Sequence, residues 1–389
     1  DFGGDNIGEW GGLVLLGRAP INRCRNAATP GTVDCDNVIE GVSNPDAIYG
    51  GATDTDSSGT LRYVSLRFSG FAIGNGNELN GISLGGVGSG TTIDYVQVHN
   101  SSDDGIEFFG GTVNAKHLVL TGNDDDSLDT DNGLKSNIQY VVVKQRELSG
   151  DNMVEASSVA GVLPASNAKV SNFTFLGNAT GNAFRLNTGT VGTYVNGVVN
   201  NLSECFRWEE SAGNGTAGYQ AGVDPAFASV LFDCAAGLAT TNSDAAAAAA
   251  SVAADANNTT TDNTLAASYF PGPNEAAVTP FNTSSLGSFF EPTTYIGAFS
   301  PQETESQNWA TGWTFGLFPT PSCPTPATAD SGITIDGKKV CRISGTITDD
   351  VRLTRGNYYE VVGRLNVGVD VGADGNAADG DPASLTIEA

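Results

Sequence analysis

Residues 93–108 read Ile-Asp-Tyr-Val-Gln-Val-His-Asn-Ser-Ser-Asp-Asp-Gly-Ile-Glu-Phe, which is a short alternating strand, a polar turn and a second short strand. Residues 115–129 repeat this pattern as Ala-Lys-His-Leu-Val-Leu-Thr-Gly-Asn-Asp-Asp-Asp-Ser-Leu-Asp, and a third copy opens at Asn137. The copies align so that Tyr95, His117 and Tyr140 share one position. Asp104 falls on Asp126, and Glu107 falls on Asp129.

The copies recur with a period of about 22 residues, which indicates a solenoid in which each repeat stacks on the next. The repeats contain β-branched strands separated by Gly, Asn and Asp turns, and they lack helical periodicity, which favours strands over helices. Downstream, Phe184 and Phe206 are separated by the same period. The sequence therefore predicts an all-β parallel β-helix with coils of about 22 residues, in which equivalent side chains form ladders roughly 4.8 Å apart.

The regular coils are predicted over residues 61–234, within a larger unit that spans residues 1–318. A run of six alanines after Asp244 predicts a short helical insertion near residues 243–256, with Asp244 as its N-cap and the helix projecting from the solenoid. Residues 271–318 are rich in Pro and aromatic residues, and they are predicted to cap an open end of the solenoid.

The C-terminal part of the chain is predicted to be separate from these coils. Residues 319–344 are rich in Pro and Thr, which predicts a linker pinned by a disulfide. Strand-like sequence resumes after it, and residues 345–389 are predicted to form β-coils of a following or neighbouring unit.

The chain is strongly acidic, with 18 Lys and Arg against 44 Asp and Glu among 389 residues, and a formal net charge of −26. This charge argues against nucleic acid or an anionic membrane as a partner. It has two explanations, a solvated acidic surface or the binding of cations. No apolar run is long enough to insert into a membrane.

The six cysteines occur as near neighbours in sequence, and pairing each with its neighbour is the simplest arrangement because every bond then closes a local loop. Disulfides indicate an exported protein. The chain has only two His and no Cys-x-x-Cys motif, so a zinc or haem site is not expected. The predicted pairs are Cys24–Cys35, Cys205–Cys234 and Cys323–Cys341.

Carboxylates are concentrated in two consecutive coils, where stacking would place like charges roughly 5 Å apart unless a counter-ion separates them. Ca²⁺ accepts six to eight oxygen ligands and suits such a cluster. The alternative is that these side chains are solvated and simply cap turns. The predicted ligands are Asp103, Asp104, Glu107, Asp124, Asp125, Asp126, Asp129 and Asp131.

No catalytic residue is assigned from the sequence. A polysaccharide lyase would use Lys or Arg as its base, and several basic residues lie near the acidic coils without any lyase motif around them. His117 occupies the position of Tyr95 and Tyr140, which indicates packing. The basic residues in question are Lys116, Lys135, Lys144 and Arg146.

Three stretches carry a resemblance to a known family: residues 9–22 (Glu-Trp-Gly-Gly-Leu-Val-Leu-Leu-Gly-Arg-Ala-Pro-Ile-Asn), residues 58–67 and residues 103–111. They resemble secreted or surface lipoprotein-like bacterial proteins with a right-handed, pectate-lyase-like parallel β-helix. The resemblance covers nearly the whole chain and implies an extracellular or outer-surface location. The order of the motifs is rotated, because the segment that resembles residues 340–388 stands near the N-terminus in those proteins.

Two classes of function are consistent with these features. The first is an extracellular structural or adhesive surface protein, stabilised by Ca²⁺ and disulfides, that assembles head to tail with copies of itself. The second is a module that binds cell-surface glycans or resembles a Ca²⁺-dependent polysaccharide lyase. A groove lined by Trp or Tyr, with Lys or Arg beside bound Ca²⁺, would favour the second class.

Overall fold

The computed structural model describes residues 6–40, 42, 44–74, 77–209, 218–239, 244–266, 269–318, 322–324, 328–335, 338–354, 356–368 and 383–387. The chain forms two compact units, Asp1–Glu303 and Thr304–Ala389. The predicted first unit, residues 1–318, extends past the end of the first of these two units.

The first unit consists mainly of strands that alternate between short and long. They are β1 (Leu13–Leu16), β2 (Asn37–Val38), β3 (Ile48–Tyr49), β4 (Thr60–Arg67), β5 (Phe71–Gly74), β6 (Asn77–Leu79), β7 (Ile82–Gly85), β8 (Thr92–His99), β9 (Ile106–Phe109), β10 (Asn114–Thr121), β11 (Leu128–Asp131), β12 (Lys135–Lys144), β13 (Val154–Ala156), β14 (Asn167–Leu176), β15 (Phe184–Leu186), β16 (Thr193–Asn201), β17 (Phe206–Trp208) and β18 (Ala226–Cys234). The helices are α1 (Ala245–Ala253) and α2 (Pro273–Ala276), with 3₁₀ turns at Pro45–Ala47 and Thr283–Leu286.

Two parallel sheets account for most of these strands. The short-strand sheet has the order β1-β7-β9-β11-β13-β15-β17, and the long-strand sheet has the order β4-β8-β10-β12-β14-β16-β18. From β7 to β18 the chain passes from one sheet to the other and back, so each successive strand stacks in parallel on its equivalent in the previous coil. This arrangement confirms the predicted right-handed parallel β-helix.

The registers confirm the predicted alignment of the repeats. Glu107 pairs with Asp129, and Phe184 pairs with Phe206. Other coils are longer than these, because loops are inserted between their strands. Gln139, for example, pairs with Ser171, because the connections on either side of β13, residues 145–153 and 157–166, are longer in this coil. The predicted period holds where the turns are shortest.

The core is built by the inward-facing residues of both sheets. Alternate positions of the short strands, such as Ile106 and Phe108, are fully buried, while the side chain between them, Glu107, points to the opposite side of the sheet. Towards the later coils the interior becomes aromatic, with Phe184, Phe206 and Phe227 in ring contact. Each large side chain that is buried in this way contributes about 1.5–3 kcal/mol through the hydrophobic effect.

Each long strand turns a corner at one residue with positive φ. Tyr63, Tyr95, His117 and Tyr140 have φ between 53° and 64°, and Asn172, Asn196 and Ser229 continue the series at 55°. Left-handed backbone is uncommon for residues other than Gly, so the coil geometry imposes it at this position. The corner directs all seven side chains outward from equivalent points of successive coils.

Helix α1 packs on the last coil and does not project from the solenoid as predicted. Asp244 is its N-cap, as expected, and accepts a hydrogen bond from the Ala247 amide at 2.9 Å. Ala247, Ala248 and Val252 join the main hydrophobic core. Small alanine side chains allow the helix backbone to approach β17 and β18, so α1 covers this end of the core.

The segment over residues 278–298, here called the strap, lies on the outer face of the long-strand sheet and forms part of the stretch 271–318 that is predicted to be a cap. Val278 and Ile296 pack against Val198 and Leu231. Polar side chains at the corner positions hold its backbone: Ser229 donates to the Thr279 carbonyl at 2.8 Å, and the Asn196 side-chain oxygen accepts from the Phe281 amide at 2.7 Å.

The second unit contains β19 (Thr328–Ile335), β20 (Lys338–Ile347), β21 (Val351–Leu353), β22 (Tyr358–Val367) and β23 (Leu385–Ile387). Strand β19 and most of β20 lie in the segment that is predicted to be a linker, residues 319–344. The two strands pair in an antiparallel hairpin. Strand β22 stacks in parallel on β20, and β23 stacks in parallel on β21. This long-short alternation has the form of β-helical coils.

Three disulfides join neighbouring cysteines in the expected sequential pattern. They are Cys24–Cys35, Cys205–Cys234 and Cys323–Cys341, with Cα–Cα distances of 4.9, 5.6 and 5.5 Å.

Candidate metal centre

The outward positions of the short-strand sheet form a ladder of charged residues. Glu107, Asp129 and Glu155 lie in register on consecutive strands, and Arg185 and Arg207 follow them. Adjacent parallel strands lie roughly 4.8 Å apart. The ladder therefore places three carboxylates in a row before the first positive charge.

A second ladder forms in the turn before each short strand. The Asp104 side chain accepts a hydrogen bond from the Asp126 amide at 2.9 Å, and Asp126 accepts from the Asn152 amide at 2.7 Å. Asn80 extends the series and donates to the Glu107 carboxylate at 2.6 Å. These hydrogen bonds hold the carboxylates of the turn residues Asp104 and Asp126 close to those of the strand residues Glu107 and Asp129.

Together the two ladders bring carboxylates into three groups, in each of which the oxygen atoms lie within 4.8 Å of one another. Glu78 lies with Asp103 and Asp125 in the first. The groups, drawn from the residues that the structure describes, are Glu78/Asp103/Asp125, Asp104/Asp125/Asp126 and Asp104/Glu107/Asp129. We call these seven residues the acidic groove.

Glu78 is the member of the acidic groove that sequence reasoning missed. It lies on β6, in the antiparallel hairpin that β5 forms with β6. This hairpin is inserted between two coils and is not part of the repeat, so the periodic alignment contained no signal for it. The fold nevertheless brings the Glu78 side chain to that of Asp103.

Burial raises the pKa of every predicted ligand that lies in the groove. The pKa of Asp103 rises to about 8, because the side chain is buried and Glu78 is close by. Burial and the nearby Asp151 raise the pKa of Asp125 to about 6. Burial is also the largest cause of the upward shift in pKa at Asp104, Glu107, Asp126 and Asp129, and neighbouring carboxylates add to it.

Arg185 is a positively charged residue near the groove, and it already forms an ion pair with a carboxylate. Arg185 contacts the Glu155 carboxylate at 2.9 Å, and Asn187 donates to the other oxygen of Glu155 at 2.6 Å. In contrast, one carboxylate oxygen of Asp129 and one of Asp131 are buried without a hydrogen-bond partner in the described structure. Buried carboxylate oxygens in this state fit a hard cation that prefers oxygen ligands.

Six of the eight predicted ligands lie in the groove, and two do not. Asp124 turns away and forms an ion pair with Arg146 and a hydrogen bond with Ser149. Asp131 lies outside the three groups, although its charge raises the pKa of Glu107.

The basic residues considered as lyase bases do not converge on the groove. Lys116 lies on the long-strand sheet and contacts Glu291 at 2.7 Å, and Arg146 is held by Asp124. His117 stacks between Tyr95 and Tyr140, which is the packing role predicted for it.

A family profile described as a pectate-lyase like beta helix domain matches residues 4–314. The chain belongs to this family. The pectate-lyase-like β-helix domain and the three disulfides fit an extracellular protein. Comparison with curated proteins and with solved structures found no match. Among the described residues, no helix is long and apolar enough to cross a membrane.

Proposed function

We propose that this protein is an extracellular β-helical scaffold that binds a hard divalent cation, Ca²⁺ in particular, in the acidic groove. The observation that supports this proposal is the convergence of Asp104, Glu107 and Asp129, with an oxygen of Asp129 buried and unpartnered. In the absence of a cation, these carboxylates have to carry protons or repel one another.

Ca²⁺ fits the groove because it takes six to eight oxygen ligands and tolerates irregular geometry. The two ladders supply carboxylates from successive coils, so a bound ion would cross-link coils that are separated in sequence. Binding to the folded chain alone would stabilise it by mass action. The proposed role of the ion is therefore structural.

Catalysis by a lyase mechanism is not part of the proposal. Such an enzyme requires a base that can lose its proton near working pH. Arg185 is the first basic residue of the ladder, and although burial lowers its pKa, Glu155 and other neighbouring carboxylates raise that pKa overall. A guanidinium that is held in its protonated form does not supply this base.

Direct binding tests the proposal. The protein is stripped with a chelator, titrated with Ca²⁺ and with Mg²⁺ by calorimetry, and its bound metal is counted by elemental analysis. We expect saturable Ca²⁺ binding that Glu107→Gln weakens and that Glu147→Gln, a change at an exposed position outside the groove, leaves intact. The proposal fails if the stripped protein shows no binding heat and retains no metal.

We propose a second role for the C-terminal unit, which is association with another copy of the chain. Val361 and Val362 on β22 are 57% and 44% exposed, and Ile387 on β23 is 69% exposed. Among the described strands, β22 lies at the edge of the sheet formed by β19, β20 and β22, so these valines are exposed on an edge strand. Exposed apolar strands of this kind recruit further strands.

Point variants test this association in the full chain. Val361→Glu is expected to shift the protein to a smaller species in light scattering at high concentration. Val33→Glu, at a position in the first unit that is 75% exposed, is the matched control and should leave the size unchanged. A wild-type protein that is monomeric at all concentrations would exclude the role.

A further inference from the structure

A cavity of about 540 Å³ opens where the long strands begin. Lys135 and Asn167, the first residues of β12 and β14, line the cavity and pair with each other in register. Val191, which lies just before β16, lines it from the next coil. Successive coils are roughly 4.8 Å apart, so the cavity spans three of them. We call it the proline cavity, because Pro20 and Pro164 also line it.

Two loops form the walls of the proline cavity, and a buried asparagine joins them. Asn22 is 3% exposed and donates hydrogen bonds to the Pro164 carbonyl and to the Ser158 hydroxyl, each at 2.9 Å. The Cys24–Cys35 disulfide closes the loop that follows Asn22. These contacts hold both walls in place without a ligand, and a preformed site loses less conformational entropy when it binds.

Two hydrogen-bond donors stand side by side in the proline cavity. Lys135 is exposed and forms no ion pair with the residues that the structure describes. The side-chain oxygen of Asn167 is buried without a hydrogen-bond partner among those residues. Because Asn167 lines the cavity while its oxygen is enclosed, the amide nitrogen is the polar end that a ligand can reach. An ammonium and an amide N–H on adjacent strands are suitable donors for a carboxylate.

A negative charge lies in the same cavity. Asp54 is exposed and lines it. The Asp54 carbonyl accepts hydrogen bonds from the Ser89 amide at 2.8 Å and from the Thr112 hydroxyl at 2.5 Å, which fix its backbone. Asp54 and Lys135 do not form an ion pair with each other, so each charge is available to a ligand.

We propose that the proline cavity binds a short apolar peptide in its zwitterionic form. The terminal carboxylate accepts hydrogen bonds from Lys135 and from the Asn167 amide, and the terminal ammonium lies near Asp54. Apolar side chains of the peptide pack against the prolines and against Leu163, which lines the cavity and is 78% exposed. A cavity of this volume lies in the range of roughly 300–1,000 Å³ that is typical of small-ligand sites.

The pair of opposite charges favours a zwitterion over other ligands with an apolar body. A fatty acid would satisfy Lys135, but it would bring its apolar chain towards the Asp54 carboxylate, which loses hydration without gaining a partner. An apolar amine would have the converse problem at Lys135. A short peptide places a charge of the right sign at each position.

This site goes beyond the cation-binding scaffold, since none of its lining residues belongs to the acidic groove. Peptide binding is expected to persist in the presence of a chelator, whereas the binding of Ca²⁺ is tested by adding the ion back. Failure of one proposal can therefore be distinguished from failure of the other.

The experiment is calorimetry on the full chain in chelator, with leucyl-leucine as the probe. Leucyl-leucinamide lacks the carboxylate and N-acetyl-leucyl-leucine lacks the ammonium, and octanoate serves as an apolar anion without any ammonium. Leucyl-leucine should bind. The two blocked dipeptides and octanoate should each bind at least about tenfold more weakly, as expected for the loss of one charge-assisted hydrogen bond.

Variants of exposed residues assign the contacts. Lys135→Gln should weaken the binding of leucyl-leucine about tenfold for the same reason. Lys144→Gln is the matched control, because Lys144 is exposed at the other end of β12 and does not line the cavity. Leu163→Ala should weaken binding about threefold through lost apolar contact. Its control is Leu148→Ala, at a position that is 86% exposed outside the cavity.

Four results would overturn the proposal. Leucyl-leucine does not bind, leucyl-leucinamide binds as tightly as leucyl-leucine, octanoate binds more tightly than the dipeptide, or Lys144→Gln weakens binding as much as Lys135→Gln does.

Discussion

Glu107 and Asp129 occupy equivalent positions on the adjacent parallel strands β9 and β11, and both carboxylates project from the outer face of the short-strand sheet. Like charges directly opposite each other destabilise a strand pair. Here the backbone pairing is maintained by the core beneath, where Ile106 and Leu128 are fully buried. The two carboxylates are therefore held together by the fold and depend on a proton or a cation to relieve their repulsion.

The stability of the cation-free protein should fall as pH rises from about 4 to about 8. Asp103 has a folded-state pKa of about 8, whereas an unfolded Asp titrates near about 3.9. Between these values the folded chain binds more protons than the unfolded chain, so raising the pH favours unfolding. Thermal melts in chelator at pH 5, 6, 7 and 8 measure this, and a melting temperature that rises across the series contradicts it.

Neutralising one groove carboxylate should stabilise the cation-free protein. Asp129→Asn removes a buried charge beside Glu107, so the melting temperature in chelator at pH 8 should rise by the equivalent of about 1 kcal/mol. The same change should reduce the stabilisation by Ca²⁺. Glu147→Gln serves as the control and should alter neither quantity. A cation-free Asp129→Asn protein that melts below the wild type would argue that Asp129 has another partner.

Gly12→Ala should destabilise the first coil more than Gly59→Ala. Both glycines have positive φ, 84° and 106°, so both substitutions strain the backbone by about 1–3 kcal/mol. At Gly12 an added Cβ would also lie 2.0 Å from the Asn80 carbonyl oxygen, whereas at Gly59 no described atom lies within 4 Å. Urea unfolding measures the free energy of unfolding of both variants, and the difference between their losses is the steric contribution at Gly12. Equal losses in the free energy of unfolding would show that β1 can move away from β7.

Removing the Cys205–Cys234 disulfide should cost more stability than removing Cys24–Cys35. The first bond spans 29 residues and the second 11, and a longer closed loop restricts the unfolded chain more, with typical losses of about 2–4 kcal/mol. Cys205 also belongs to the main core. Denaturant unfolding of the two double Cys→Ala variants measures the loss of stability for each disulfide. A larger loss for Cys24–Cys35 than for Cys205–Cys234 would contradict the prediction.

Features that depend on the repeat could be predicted from the sequence. The pairing of Glu107 with Asp129 and the stacking of His117 between Tyr95 and Tyr140 follow from the regular spacing of the repeats, because a parallel coil places equivalent positions side by side. Asp244 was recognisable as an N-cap for a similar reason, since capping is a local interaction.

Features that depend on inserted segments could not be predicted in this way. Glu78 reaches the acidic groove through a hairpin outside the period, and the strap reaches Asn196 across 85 residues of sequence. Asp124 differs from its neighbours Asp125 and Asp126 through its contacts with Arg146 and Ser149. In each case the position of the residue is decided by a tertiary contact, for which neither spacing nor composition provides a signal.

The stacked rings of Tyr63, Tyr95, His117 and Tyr140 give this protein an optical signature. Three of its ten tyrosines lie with His117 in a single column, with neighbouring ring centres less than 5 Å apart. Aromatic chromophores that are stacked this closely couple their electronic transitions, which produces circular dichroism in the near ultraviolet and quenches tyrosine emission. Because each stacked pair joins two successive coils, this contribution to the signal depends on the register of those coils and should be lost when that part of the solenoid unfolds.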